Sequence, residues 1–374
     1  MAGLYIHVPF CKQACHYCDF HFSTQRDYTP QLCEAIIKEL ELQKNFLGEP
    51  LETIYFGGGT PSLLSFKQLG DTFNHIFKNY TVSGNAEVTL EANPDDLTFE
   101  YVKELNSVGI NRLSIGIQSF DDRVLKFLNR SHNGSQALKA IETSRAAGIS
   151  NLNVDLIYAI PNRNQHSLVQ DLNQLKVLRP DHISAYSLTV EPKTVFGNWT
   201  NAGKFAPETE EENAVQFELV MDYLAEAGYD HYEISNYSLP GRQSLHNSNY
   251  WRQKKYLGIG PSAHSYNGKE RWINVANNHT YIKTLAADSI PATVEPLTPA
   301  NQINEYIMTS LRTMWGCDVS VLQKKFQYNL IARNKIYFDK GIAEGLFTLQ
   351  GEVVTLTRKG RLFADSIAAE FFVI

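Results

Sequence analysis

Three of the five cysteines in this 374-residue chain fall within eight residues, CKQACHYC, as Cys11, Cys15 and Cys18. Thiolates spaced four and three apart along a loop can wrap one side of a metal centre and leave one coordination position open. A structural zinc would close its shell with a fourth ligand, and His7, His16 and His21 are near enough in the chain to supply it. An iron–sulfur cluster also suits soft thiolates, though it usually takes four cysteines. The plainest alternative is three unliganded thiols in a surface loop. Cys33 and Cys317 have no neighbours at metal spacing and read as buried apolar residues.

Two further stretches carry chemistry. In Gly57–Gly58–Gly59–Thr60 the missing side chains let backbone approach a ligand closely, and equally permit a tight strand-to-helix turn. HNSNYW, from His246 to Trp251, puts an imidazole beside two large aromatics. By itself it describes a hydrogen-bonded histidine in an aromatic cluster as well as a ligand site.

Strand and helix patterns alternate over roughly the first 190 residues, from LYIHVPF through LETIYF, AEVTLEANP, INRLSIGIQSF and NLNVDLIYAIP to DHISAYSLTV. Thr29 is the expected N-cap of the first helix, with Pro30 in its first turn, and Ser65 with Gln68 forms a capping-box pattern. Such alternation predicts parallel βαβ units. The polar landmarks all fall toward strand C-terminal ends: the cysteines after the first strand, the glycines after the second, Glu91, Gln118 and Asp155 on the next three. That distribution favours a partial six-unit (β/α) barrel of TIM type over an open sheet with a single switch point. The expected division is a barrel core over 1–205, an extension carrying HNSNYW over 206–288, and a small C-terminal domain over 289–374. The segment LAADSIPATVEPLTP reads as a linker, and the helix–hairpin–helix order beyond it resembles a winged helix.

Composition narrows the partners. A net charge of −6, with 43% hydrophobic and 20% charged residues, describes a globular protein that does not grip phosphate backbones. From Asn301 onward nine Lys/Arg face seven Asp/Glu, so the winged-helix pattern carries little DNA-binding signal. No run approaches the ~18–20 apolar residues of a membrane span, which leaves only peripheral membrane contact. MAGLYIHVPF has neither a basic n-region nor a small-residue cleavage site, so a cytoplasmic, reducing location is expected, where clustered cysteines more often bind metal than pair.

CxxxCxxC with an aromatic residue before the last cysteine resembles the signature of radical S-adenosylmethionine (SAM) proteins. Together with YFGGGTPS, EANPDD, LSIGIQSF, DLIYAIP and HNSNYW it resembles the HemN/HemW family over nearly the whole chain. The resemblance implies a 4Fe-4S cluster on Cys11, Cys15 and Cys18, with SAM on the open iron. It also implies a SAM site from Gly58, Gly59, Thr60 and Glu91, lined by Tyr5, Tyr17, Gln118, Arg130 and Asp155. A reduced cluster would then split SAM to methionine and a 5′-deoxyadenosyl radical.

Two functions share this scaffold: oxygen-independent coproporphyrinogen III dehydrogenase, an enzyme, and a haem chaperone, a binding and delivery protein. Phe20 where the dehydrogenase usually has a fourth cysteine, the immediate entry into the first strand, and HNSNYW all favour the chaperone. The expected cargo is haem, handed to an acceptor protein that the sequence does not identify. His246 is the expected iron ligand, Asn247, Tyr250 and Trp251 would pack on the porphyrin, and His264 is a second candidate.

Overall fold

The computed structural model describes residues 2–161, 163 and 165–373. Six strands lie side by side in chain order and run parallel: β1 (Ala2–Val8), β2 (Leu51–Gly58), β3 (Val82–Ala92), β4 (Arg112–Gln118), β5 (Asn151–Tyr158) and β6 (His182–Ser187). Helices cross between them. One set of alternate residues, including Leu4, Ile6, Ile54, Phe56, Leu113 and Ile115, is buried in the main core. The other set is polar and faces inward. Asn153 Nδ2 donates to Ser114 Oγ at 2.8 Å and to Asp155 Oδ1 at 2.7 Å, and Ser184 Oγ donates to Asn153 Oδ1 at 3.1 Å. The barrel therefore has an apolar shell and a polar lumen.

The barrel does not close on itself. Instead of meeting β6, β1 pairs in parallel with β9 (Tyr256–Ile259), and β6 pairs antiparallel with β8 (Asn236–Ser238), which pairs β7 (Asp230–Glu233). Beyond β9 the sheet continues antiparallel through β10 (His264–Tyr266), β11 (Glu270–Asn274) and β12 (Ala292–Pro296). The 206–288 extension thus supplies strands to both edges of the barrel sheet, and residues as late as Tyr281 and Leu285 join the barrel core.

Two local expectations are corrected. Tyr28, not Thr29, is the N-cap of helix Thr29–Leu42, because Thr29 Oγ1 donates backwards to the Arg26 carbonyl at 2.6 Å. The three-proline segment is no plain linker, since Ala292–Pro296 pairs with β11 residue by residue at an edge, where Pro296 is tolerated. The Ser65–Gln68 capping box is present in both directions.

The C-terminal part builds its own core around Ile307, Leu311, Leu322, Phe338, Phe347 and Phe371. Its three strands are β13 (Cys317–Asp318), β14 (Phe347–Gln350) and β15 (Val353–Leu356), ordered β13-β15-β14 behind helices Pro299–Leu311, Val319–Phe326 and Lys335–Ala343. It docks through backbone and rings: Met314 N donates to Tyr232 O at 2.9 Å, and the Arg252 guanidinium lies 4.2 Å over the Trp315 ring. Among the described residues no helix is long and apolar enough to cross a membrane.

Candidate functional site

The loop after β1 folds back so that Cys11 N donates to Ser23 O at 3.0 Å, and Lys12 Nζ ties it to Asp95 at 2.8 Å in the turn after β3. Its three cysteines line a cavity of about 430 Å³ at the C-terminal mouth of the barrel. Gly58, Gly59, Thr60, Glu91, Gln118, Arg130, Asp155 and Tyr17 line the same cavity. Successive strands and loops thus bring together nearly all the residues singled out for a cluster and SAM.

Three thiols lining one cavity suit an iron–sulfur cluster, in which each cysteine binds its own iron. Burial pushes the Cys18 thiol up to about 12 and raises Cys11, so each holds its proton until a cation replaces it.

Across the cavity the charges suit a zwitterion with an additional cation. Burial, with Asp155 adding repulsion, lifts Glu91 to about 7 although Tyr55 O–H donates to it at 2.8 Å and Gly58 N–H at 3.1 Å. Burial likewise lifts Asp155 to about 6. Two unneutralised carboxyls in one lumen would be relieved by ammonium and sulfonium groups. Arg130 answers with a buried guanidinium. It donates to Cys15 Sγ and Tyr17 Oη at 3.3 Å each, to Asn93 Oδ1 at 2.7 Å and to Gly116 O at 2.8 Å, and its Nε is buried with no partner. Gln118 reaches the cavity from a left-handed backbone, φ 66°, at a register shift between β4 and β5. Such strain is commonly held at functional sites.

The glycines have a structural cause of their own. A Cβ on Gly58, at φ 106°, would meet the His7 ring at 2.5 Å, and one on Gly59 would meet Phe10 O at 2.7 Å. The strand-two glycines are therefore required by protein packing as well as placed at the cavity.

Tyr5 and His246 depart from expectation. Tyr5 lines a different cavity, of about 830 Å³, and its hydroxyl donates to His7 Nδ1 at 3.1 Å. His246 is 2% exposed, with Nδ1 2.8 Å from Thr53 Oγ1 and Nε2 2.9 Å from Tyr250 Oη, and its ring stacks on Tyr55 at 4.8 Å. With both nitrogens bonded to protein its one lone pair is already taken up by a hydroxyl, and the ligand assignment is corrected to a packing and positioning role. HNSNYW forms the short helix Leu245–Trp251, whose first amides donate to the Glu87 carboxylate at 3.0 and 2.9 Å. That helix turns Tyr250 and Trp251 into the larger cavity.

Glu87 escaped sequence reading, as did the buried set of His182, Asn153 and Tyr232, in which His182 lies 2.6 Å from Asn153 Oδ1 and 2.7 Å from Tyr232 Oη. The signal was available: strands buried on both faces read as continuous apolar runs, yet EVTLEA and NLNVDLIY alternate. Phe20, 68% exposed, and Asp19 line both cavities and form their common border.

Residues 5–175 match the model of the Radical SAM superfamily. The chain is 34% identical to haem chaperone HemW of Bacillus subtilis over 99% of each chain. It is 38% identical to haem chaperone HemW of Lactococcus lactis, covering 86% of this chain and 84% of that one. The solved structure of coproporphyrinogen III oxidase (HemN) from Escherichia coli superposes with a TM-score of 0.86 at 22% identity, over 100% of this chain and 90% of that one.

Proposed function

Because this chain belongs to the HemW family of radical SAM proteins, we propose that it is a haem chaperone, with a cluster-and-SAM cavity beside a separate haem cavity. Cys11, Cys15 and Cys18 hold a 4Fe-4S cluster. Gly58, Gly59, Thr60, Glu91, Gln118, Arg130, Asp155 and Tyr17 hold SAM, whereas Tyr5 belongs to the haem cavity. When bound, the cluster supplies an electron to the SAM sulfonium. Glu91 and Asp155 would receive the cationic groups of SAM and Arg130 its carboxylate. Haem is carried in the larger cavity and passed to an acceptor protein.

The observation that carries this reading is the second cavity. A haem is broad and apolar with two carboxylates, and sites for such ligands are aromatic-lined spaces of roughly 300–1,000 Å³ with a few polar groups. The cavity of about 830 Å³ is faced by Tyr5, Tyr250, Trp251, Tyr256 and Tyr266, with Arg271 at its wall. It shares only Asp19 and Phe20 with the cysteine-lined cavity, so cargo need not enter the SAM site. The test is to reconstitute and reduce the protein anaerobically and offer haem in one arm, SAM with coproporphyrinogen III in the other. One haem retained per chain without decarboxylation supports the chaperone. Decarboxylation with no haem retention at micromolar concentration overturns it in favour of the dehydrogenase.

A further inference from the structure

Building on the haem-carrier reading above, we propose that the larger cavity takes haem by its iron at His264 and by one propionate at Arg271. The cavity floor is one face of the barrel sheet's continuation. Tyr5 on β1 stands opposite Gly258 on β9, Tyr256 on β9 opposite Tyr266 on β10, and Tyr266 opposite Arg271 on β11. His264 is two residues from Tyr266 and so shares its face, since strand side chains alternate. The opposite wall is helix Pro299–Leu311, which contributes Asn304, Glu305 and Met308.

The histidines at and beside the cavity differ in what already holds their ring nitrogens. His246 is bonded at both ring nitrogens. So is His7, which donates from Nε2 to His21 O at 2.9 Å and accepts at Nδ1 from Tyr5. His21 donates from Nε2 to Asn278 Oδ1 at 2.7 Å, which leaves only Nδ1 with a lone pair, on a half-buried ring set 6.2 Å from that of His7. His264 alone of the cavity's histidines is exposed, and among the described residues no hydrogen bond holds its ring. Burial of its surroundings and the nearby Arg271 charge lower its pKa, which keeps the imidazole neutral and able to bind iron. Arg271 donates toward Glu305 at 3.0 Å, but its Nε is buried with no partner. A guanidinium with a spare N–H on the face that holds the iron ligand is matched to a carboxylate.

The experiment is a haemin titration of the full-length protein followed at the Soret band. Wild type is expected to bind one haem with a histidine-ligated spectrum. His264→Ala is expected to bind at least tenfold more weakly with a shifted Soret band that added imidazole restores, and His264→Cys to give a thiolate-type spectrum. Arg271→Gln is expected to weaken binding several-fold at an unchanged band position, and to make no difference to haem dimethyl ester. If wild type binds haem and both His264 variants keep its spectrum and affinity, the ligand assignment is overturned while the carrier reading stands. If wild type binds no haem, both fall. Near-ultraviolet circular dichroism of His264→Cys separates ligand loss from misfolding, since a folded variant without thiolate character also counts against the proposal.

Discussion

His246→Ala should damage the fold without changing the ligation of bound haem. Burial first, and the Arg112 charge second, push the His246 imidazole down to about 3, so it is neutral at physiological pH. A neutral ring has one N–H and one lone pair, so one of its two hydroxyl partners donates to it and the other accepts. Thr53 is 0% exposed, and losing its partner strands a buried hydroxyl, which costs about 1–3 kcal/mol. Tyr250 faces the larger cavity and can turn to water, so its loss is nearer ~1 kcal/mol. Removing a ring stacked at 4.8 Å on Tyr55 opens a void that raises the total to roughly 3–5 kcal/mol. Urea unfolding of the apoprotein measures this, and Thr53→Val in a double-mutant cycle should recover about 1 kcal/mol or more as coupling. The haem Soret position should be unmoved, with affinity lowered only through Tyr250. Unchanged stability with a changed Soret band would refute the reasoning and return His246 to the iron.

The remaining expectations are of the same kind. Alanine at Cys11, Cys15 or Cys18 should abolish iron and sulfide incorporation measured after anaerobic reconstitution. Alanine at Cys33 or Cys317, 7% and 0% exposed in the two cores, should leave the cluster intact and cost about 1–2 kcal/mol in thermal unfolding. Gly58→Ala, forced to φ 106° against the His7 ring, should lower apoprotein stability by roughly 2–4 kcal/mol in urea, with SAM binding lost in step. Glu91, lifted to about 7 from 4.5, stabilises the fold fully below pH 4.5, and that contribution is lost as pH rises through 7. Glu91→Gln should therefore remove at most about 3 kcal/mol of pH dependence in that window, seen by comparing urea midpoints at pH 4.5 and 7.5.

Much of the frame was legible because local signals and topology agree. Ser65 and Gln68 form the expected capping box, and the six strands occupy the expected stretches. The cysteine spacing and the strand-end positions of Glu91, Gln118 and Asp155 likewise mapped onto one cavity, since each depends only on where a strand stops. What was not legible depends on contacts across long separations. The burial of His246 follows from Thr53, 193 residues earlier, and no window of HNSNYW contains that partner. Tyr5 fell on the other cavity because β9 joins the free edge of β1, a pairing between residues some 250 positions apart that no local pattern announces. The supposed linker became a strand for the same reason: Ala292–Pro296 is extended only because β11 offers it an edge.

The two cavities are also separated along the chain, and this has a consequence for synthesis. Every residue lining the smaller one lies between Cys11 and Glu191, whereas the larger one also needs Tyr250 to Arg271, then Asn301 to Thr309, and Phe372. Domains emerging from the ribosome fold N-terminal part first. A growing chain therefore contains all the walls of its cysteine-lined chamber while most of those of its second chamber are still untranslated. On the proposed reading, cluster loading could precede cargo loading by the time taken to make about half the polypeptide, and a chain cut short just after Glu191 would retain the first chamber's residues without gaining the second.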